Sequence, residues 1–453
     1  MNLMRLGAHS NKSMNLKDYR YSWFVMFLRG SAALLALVVL LASCGARRVQ
    51  TETSSAFALD ARGSSYLALQ DGEDDWQVLS DAQGLSTVSL SDPQGRYSVM
   101  SVCRDESSGA ISVQFKQGVV PSLVAGTAAA VTPPLVRLSC GPAEAAGNSA
   151  EVRGTVQGLG EGEYGSLYLG GASALIDASA PVTSLEVQHV SNPDLDLVAT
   201  KYAPDALLPS MLILEPGLAF SPNLVTSIDL DFTSPGAVTL EAAEVPLTGR
   251  LPNEFLSGSV ELLTRSGTHA LLGESVSIGA LGYARPPESL LRGAALRAEA
   301  QSFSYNDRTK AGSSRSVSRT FREGAVAPLE LPLPLELRAP VLMGSADNLR
   351  PRSSWTVQPV AGGDYTQFYS QVREGHSVSY RFSQSMTSLS SRFPGAATFA
   401  QTLPDFSKLP GWRAEWNLTR GADVFWDVSF RTEDDSGTTS SSRSGVLDTA
   451  PNP

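Results

Sequence analysis

Carboxylates at alternate positions are the residues of this chain whose spacing could do chemistry. In Asp71-Gly72-Glu73-Asp74-Asp75 the acids at 71, 73 and 75 follow a spacing that Ca²⁺ loops exploit, because alternating oxygens can converge on one hard cation. The order departs from the EF-hand pattern, which needs a glycine at the sixth loop position and a distal glutamate, so a solvated turn ahead of Trp76 is the competing reading. Asp194-Leu195-Asp196 and Asp229-Leu230-Asp231 each put two carboxylates on one strand face, about 6–7 Å apart by strand geometry. Carboxylates near that separation can do glycosidic acid–base work, and they are equally what any polar strand face carries. Histidine offers less. His189, His269 and His376 are 80 and 107 residues apart, and none has the close spacing that puts two imidazoles on one metal. The chain has no Gly-Xaa-Ser-Xaa-Gly elbow, no His-Glu-Xaa-Xaa-His and no glycine-rich phosphate loop. The sequence therefore assigns no catalytic residue, no metal ligand and no cofactor.

The sharpest signal lies near the N-terminus. After Arg29 an apolar run from Ser31 to Leu40 closes in Leu41-Ala42-Ser43-Cys44, the order of a charged region, an apolar region and small residues in a secretory signal. Residues 26–45 resemble the bacterial lipoprotein signal, whose lipobox ends in a cysteine that becomes the lipidated first residue of the mature protein. The resemblance implies that residues 1–43 are a signal peptide and that acyl chains on Cys44 tie the protein to the lipid bilayer. Two or more chains anchor stably where one does not. A retained membrane span is the competing account, but Ser31 to Ala42 supplies only 12 uncharged residues against the ~20 that cross a bilayer. The lead before the apolar run is long, and Met14 and Met26 are alternative starts. Gly45 stands where bacteria that sort by an aspartate would retain a lipoprotein on the inner membrane, which favours the outer membrane or cell surface.

Charge narrows the partners. The whole chain has a net charge of −10, and removing residues 1–43 leaves 30 basic and 44 acidic residues, a net charge near −14. A surface of that sign repels phosphate backbones and anionic headgroups, so nucleic acid is not an expected partner. With Cys44 committed to lipid, Cys103 and Cys140 remain in a compartment that permits disulfides. A bridge closing their loop of 37 residues would contribute about 3–4 kcal/mol in the chain-entropy model. Two separate buried thiols, or one reactive thiol, are the alternatives.

The body of the chain reads as all-β. It has 39 Gly and 27 Pro spread as punctuation, with period-two alternation between them, as in GRYSVMSVC (95–103), AISVQFK (110–116), SIDLDF (227–232), HSVSYRFS (376–383) and DVFWDVSFR (423–431). The helical candidates are Pro121–Val131 and Pro287–Ala300, the second equally able to enter a strand. Four hundred residues exceed one sandwich core, so tandem β-sandwich modules are expected: a lipidated tether over 44–55, then modules over 56–140, 150–246, 248–338 and 339–433. The tail, 434–453, is rich in Ser, Thr and Gly, lacks an apolar face and is expected to be disordered. Two faint echoes hint at repeats: VRGTVQG (152–158) with LSGSVEL (256–262), and GRYSVMSVC with DLDLVATKY (194–202). DPQGRYSVMSVC and VRGTVQGLGEGEYGSLYLGG look like strands of carboxypeptidase-regulatory or transthyretin-like modules, in which a turn such as Gly95-Arg96-Tyr97 leads a strand into the core. That resemblance covers roughly 90–250 and implies structural or binding units with no catalytic residues to assign.

Aromatics concentrate between 355 and 431: Tyr365, Phe368, Tyr369, Tyr380, Phe382, Trp412, Trp416, Phe425 and Trp426. They either fill a core or offer a face that grips sugars and peptides by stacking. Phe425 and Trp426 are adjacent, so within one strand they point to opposite sides. The expected function is a membrane-anchored extracytoplasmic scaffold or binding protein, not an enzyme, with a glycan or a protein as its ligand. The alternative is a secreted carboxylate-dependent hydrolase of cell-envelope glycans.

Overall fold

The computed structural model is all-β, with only two short helices among the described residues, α1 (Glu288–Leu291) and α2 (Met386–Arg392). The structure describes residues 55–79, 84–120, 133–138, 140, 150–178, 182–187, 194–219, 225–277, 279–322, 326–334, 336, 338–356, 363–373, 376–393, 396, 398–434 and 437–449. The first module contains β1 (Ser55–Asp60), β2 (Tyr66–Asp71), β3 (Gln77–Val78), β4 (Leu85–Leu90), β5 (Arg96–Arg104), β6 (Ile111–Val119) and β7 (Leu135–Arg137). The second contains β8 (Ala150–Gln157), β9 (Tyr164–Leu169), β10 (Ala172–Asp177), β11 (Val182–Val187), β12 (Asp194–Tyr202), β13 (Met211–Ala219), β14 (Val225–Asp231) and β15 (Val238–Thr239). The third contains β16 (Glu241–Thr248), β17 (Phe255–Thr264), β18 (His269–Gly273), β19 (Ser275–Ser277), β20 (Ala280–Arg285), β21 (Ala294–Asn306), β22 (Ala311–Phe321) and β23 (Leu329–Glu330). The fourth contains β24 (Val341–Ser345), β25 (Asn348–Thr356), β26 (Gly363–Arg373), β27 (His376–Ser385), β28 (Thr398–Thr402), β29 (Val424–Asp434) and β30 (Gly437–Leu447).

One pairing scheme recurs. The opening strands β1, β8 and β16 each pair antiparallel with a mid-module strand (β4, β11, β20) and parallel with a late one (β7, β14, β23). The following strands β2, β9 and β17 pair with β3, β10 and β18 on one side and with β5, β12 and β21 on the other. Those long strands pair in turn with β6, β13 and β22. The fourth module repeats the scheme through β25–β28, β26–β27, β26–β29 and β29–β30, with β24 antiparallel to β25 where the others place a parallel strand. GRYSVMSVC and DLDLVATKY therefore occupy equivalent strands, β5 and β12, whereas VRGTVQG and LSGSVEL lie on non-equivalent ones, β8 and β17.

The modules are not separate beads. The long sheets of the third, fourth and first are one twelve-stranded sheet, in the order β18-β17-β21-β22-β30-β29-β26-β27-β6-β5-β2-β3. Its joints are an antiparallel pairing of β22 with β30 and a parallel pairing of β27 with β6. Cores follow the sheet rather than the module boundaries. Phe57, Leu59, Leu90 and Val136 of the β4-β1-β7 sheet pack on Leu67, Leu69, Tyr97 and Val99 of β2 and β5. Met100, from the opposite side of β5, and Val113 and Phe115 of β6 share a second core with Trp355, Tyr369, Tyr380 and Trp426 of the fourth module. Val198, Leu212 and Leu240 of the second module join the core of the third.

Three expectations are corrected, and the segment left open between helix and strand, 287–300, holds both. The tail 434–453 is not disordered throughout: Gly437–Leu447 is β30, paired on both sides. Its inward positions are small because neighbours fill the space, and a Cβ on Gly445 would stand 2.9 Å from the Trp426 indole nitrogen. The second module ends before Glu241, since β16 runs through Pro246 to Thr248. Only Leu247 and Thr248 of β16 pair with β23, so the missing N–H of Pro246 breaks no bond on that side. Pro287–Ala300 is a single helical turn that gives way to β21 at Ala294. Ser55, placed at the end of the tether, opens β1 and is fully buried. Residues 1–54, with Cys44, and the candidate helix at 121–131 lie outside the described residues.

At the joint of the third and fourth modules, Arg315 of β22 is buried against Glu254. Its Nε donates to Glu254 Oε1 at 3.0 Å, an Nη donates to Glu254 Oε2, and Nη1 donates to the Gly249 and Pro332 carbonyls at 3.0 and 2.7 Å. Removing one member of such a pair strands a buried charge. Glu254→Ala is expected to destabilise the protein by about 3–5 kcal/mol in urea unfolding, and Glu254→Leu combined with Arg315→Met by much less. Equal losses for the two variants would contradict this account of the joint.

Candidate binding surface

Sheet registry sorts the side chains of the long sheet. Directly paired residues point to one side, so Arg315, Val317, Ser441, Trp426, Val428, Tyr369 and Tyr380 face the cores, and all seven are buried. The other side carries their neighbours. Ser314 and Ser442 stand opposite each other with hydroxyls 2.9 Å apart, and Ser316 and Ser440 with hydroxyls 2.8 Å apart. The Ser316–Ser440 rung of this half-buried hydroxyl ladder, with Ser318 and Thr438, lines a groove of about 550 Å³ whose walls include Arg297, Glu299, Arg431, Glu433 and Asp434. The arginines there have acidic partners: Arg297 lies 3.9 Å from Glu299 within the groove and 3.0 Å from Glu261 beside it, and Arg431 lies 3.4 Å from Glu433. Further along, Phe368 meets Phe425 edge to face at 6.4 Å, and Val372 is 72 % exposed. Burial among these strands pushes the Asp427 carboxyl above its ordinary range, against a hydrogen bond with Ser442 that favours ionisation. Fixed hydroxyls, acid-paired arginines and a few apolar rings suit hydrogen bonding to an uncharged polar ligand.

The aromatic end is chiefly core. Trp355, Tyr365, Tyr369, Tyr380, Phe382, Trp416 and Trp426 are buried together, with Trp412 packed against them. Burial raises the Tyr365 hydroxyl to about 12. The Tyr380 hydroxyl donates to the Trp416 carbonyl at 2.5 Å. Phe425 is 42 % exposed and Trp426 2 %, on opposite sides of β29.

The singled-out acids are mostly engaged within the fold. Asp71 accepts from the Ser91 N–H and hydroxyl at 2.6 and 2.7 Å and from the Asp92 N–H at 3.1 Å, while Glu73 pairs with Arg96 at 3.3 Å. The described residues hold no cluster of three or more metal-ligating side chains. Asp229 accepts from the Thr155 hydroxyl at 2.5 Å, and Asp231 closes a turn with Thr233. His269 Nδ1 lies 3.3 Å from Glu261; His376 heads β27, and His189 lies outside the described residues. Cys103, near the end of β5, is bonded to Cys140, with Cα atoms 5.2 Å apart.

Asp196 does something the sequence did not signal. The turn between β17 and β18 docks on the second module through it. Asp196 Oδ1 accepts from the Gly217 N–H at 2.9 Å, and Oδ2 accepts from the Ser266 N–H at 3.3 Å. Its own N–H donates to the Ser266 hydroxyl at 2.6 Å, and its carbonyl accepts from Thr268 Oγ1 at 2.5 Å. The Thr268 hydroxyl also accepts from the Gly170 N–H at 2.8 Å. A single acid in a strand pair thus ties two modules together, a long-range use of Asp that local spacing cannot reveal.

No protein-family model matches the chain, and no curated protein matches it.

Partial burial of Asp196 opposes ionisation, but the donors at Gly217, Thr264 and Ser266 outweigh it and hold the carboxyl below its ordinary range. A depressed folded value means the contribution is present above the unfolded carboxylate range, near 4, and is lost as pH falls through the folded value. Wild type should exceed Asp196→Ala in stability by about 1–2 kcal/mol at neutral pH, after allowance for solvent screening. The gap should shrink in melts taken progressively below pH ~4. A gap independent of pH would show that the carboxylate charge is not what holds the junction.

Proposed function

We propose that this chain is an extracytoplasmic lipoprotein that serves as a binding scaffold, held to the outer membrane or cell surface through acyl chains on Cys44, with a glycan or a protein as its ligand. The observation that supports the scaffold reading is the continuous sheet through three modules, joined by strand pairing where β22 meets β30 and β27 meets β6. Such a body presents its surfaces at fixed spacing, as a platform on a membrane requires. The anchor rests on the residues before Cys44: Arg29, the short apolar run, and Leu41-Ala42-Ser43. The net charge of the chain gives no electrostatic hold on anionic headgroups, so attachment falls to the lipid.

Cys44→Ala should leave the β-modules folded, because β1 begins only at Ser55. The variant should move from the membrane fraction to the soluble one, or stall as an uncleaved precursor. Feeding cells a clickable fatty acid reads this directly, with label expected on wild type and absent from the variant. Equal label on both would overturn the anchor and leave a retained membrane span as the better account.

A further inference from the structure

A second groove, of about 700 Å³, lies where the outer side of the second module's sheet meets β18. Alternation along β9 turns Tyr164, Ser166 and Tyr168 to this side and sends Leu167 and Leu169 into the core. Registry adds Ser173 and Leu175 from β10 and Tyr202 from β12. Tyr164 and Tyr202 stack with centroids 4.7 Å apart and planes 2° from parallel. The Tyr164 hydroxyl donates to the Ala206 carbonyl at 3.1 Å, which holds the loop carrying Leu207 beside the groove. Leu271, Gly273 and Glu274 of the third module form the facing wall. That wall is fixed in place by the docking of Thr268 on Asp196 and Gly170.

The composition of this groove selects among ligands. Among the described residues Glu274 is the one charged side chain lining it, so a phosphate, a sulfate or an acidic polymer would meet a like charge there. Tyr164 and Tyr168 supply partly exposed ring area and Ser173 an exposed hydroxyl, backed by the buried Tyr202 and Ser166. Leu175 and Leu207 are each 77 % exposed at the rim and add aliphatic surface beside the tyrosines. Aromatic and aliphatic faces alternating with hydroxyls and a single carboxylate acceptor match a ring that has C–H faces and equatorial hydroxyls. We infer that the groove between the second and third modules is a binding site for a neutral saccharide. The inference deepens the reading of the chain as a binding protein and is independent of the anchor at Cys44.

The test is isothermal titration of the full-length chain in detergent with two neutral probes, the β-1,4-linked trimer of N-acetylglucosamine and the α-1,4-linked trimer of glucose. Saturable binding of either one is expected. Tyr168→Ala and Glu274→Ala should each weaken it about tenfold, a loss of about 1.4 kcal/mol. Glu274 is exposed and outside any strand, so its variant is the one least able to disturb the fold. Neither trimer binding would overturn the site, as would binding that both variants leave unchanged. A leucine-rich peptide that binds in the groove while the trimers do not would overturn it in favour of a protein ligand. Fatty-acid labelling of Cys44 is unaffected by any of these results, so failure of the groove and failure of the anchor are separately readable.

Discussion

A β-sheet edge exposes unpaired N–H and C=O groups, and most of this architecture follows from how those edges are closed. The third and fourth modules each end their long sheet in a strand rich in serine, β22 and β30, and each closes the edge of the other. Neither strand could serve as a free edge without presenting its whole ladder to water or to another copy. Joined, they become central strands with backbone bonds on both sides. Their inward positions need contribute little, because Arg315 of β22 reaches to Glu254 and Trp426 of β29 covers Gly445. Their outward positions become the hydroxyl ladder. The same joint therefore supplies both rigidity and the floor of the polar groove.

The other joint has a different chemistry. β27 and β6 lie parallel, and pairs such as Phe382 with Phe115 and Tyr380 with Val113 point to one core. Phe115 and Phe382 stack at 4.5 Å. The segment after β28 completes this core by lying over the first module. Phe406 meets Trp76 and Phe115, while Trp412 and Trp416 meet Tyr66. The Tyr66 hydroxyl donates to the Pro410 carbonyl at 3.0 Å. Aromatic rings far apart in sequence thus join the first and fourth modules alongside the strand pairing. On the far side of β2 and β5 the small β4-β1-β7 sheet is held by its own core and by the Cys103–Cys140 bond.

How much of this could be read from the residues depends on whether the deciding contacts are local. Period-two alternation is local, and it located β5, β6, β27 and β29 and the all-β class. One of the two echoes found equivalent strands, because β5 and β12 both carry apolar residues toward two layers. β30 was illegible because its apolar partners belong to other strands, so its own sequence looks like a solvated tail. Pro246 misled for a related reason, since the pairing that would have forbidden it starts one residue later. The aromatic cluster was visible, but whether it faced solvent or a core was set by the first module, some 250 residues away in the chain. The candidate surfaces were the least legible. The hydroxyl ladder needs β22 and β30 in register, and the tyrosine groove needs β9, β10, β12 and a strand of the next module. The one available signal was the alternation of serine with larger residues over 313–319, which marks a strand with a polar face but not what stands opposite it.

Rigidity and recognition are linked here through the places where modules touch. A ligand that binds between mobile domains must offset the entropy of closing them, whereas a groove held open by fixed walls asks for no such ordering. The wall of β18 is fixed by a turn whose Thr268 is fully buried and bonded to both Asp196 and Gly170. The floor of the polar groove is fixed by a strand pair within a twelve-stranded sheet. Neither groove can close on its contents without breaking buried polar contacts, each worth about 1 kcal/mol or more. Selectivity at either groove must therefore come from the shape and donor pattern already present rather than from closure.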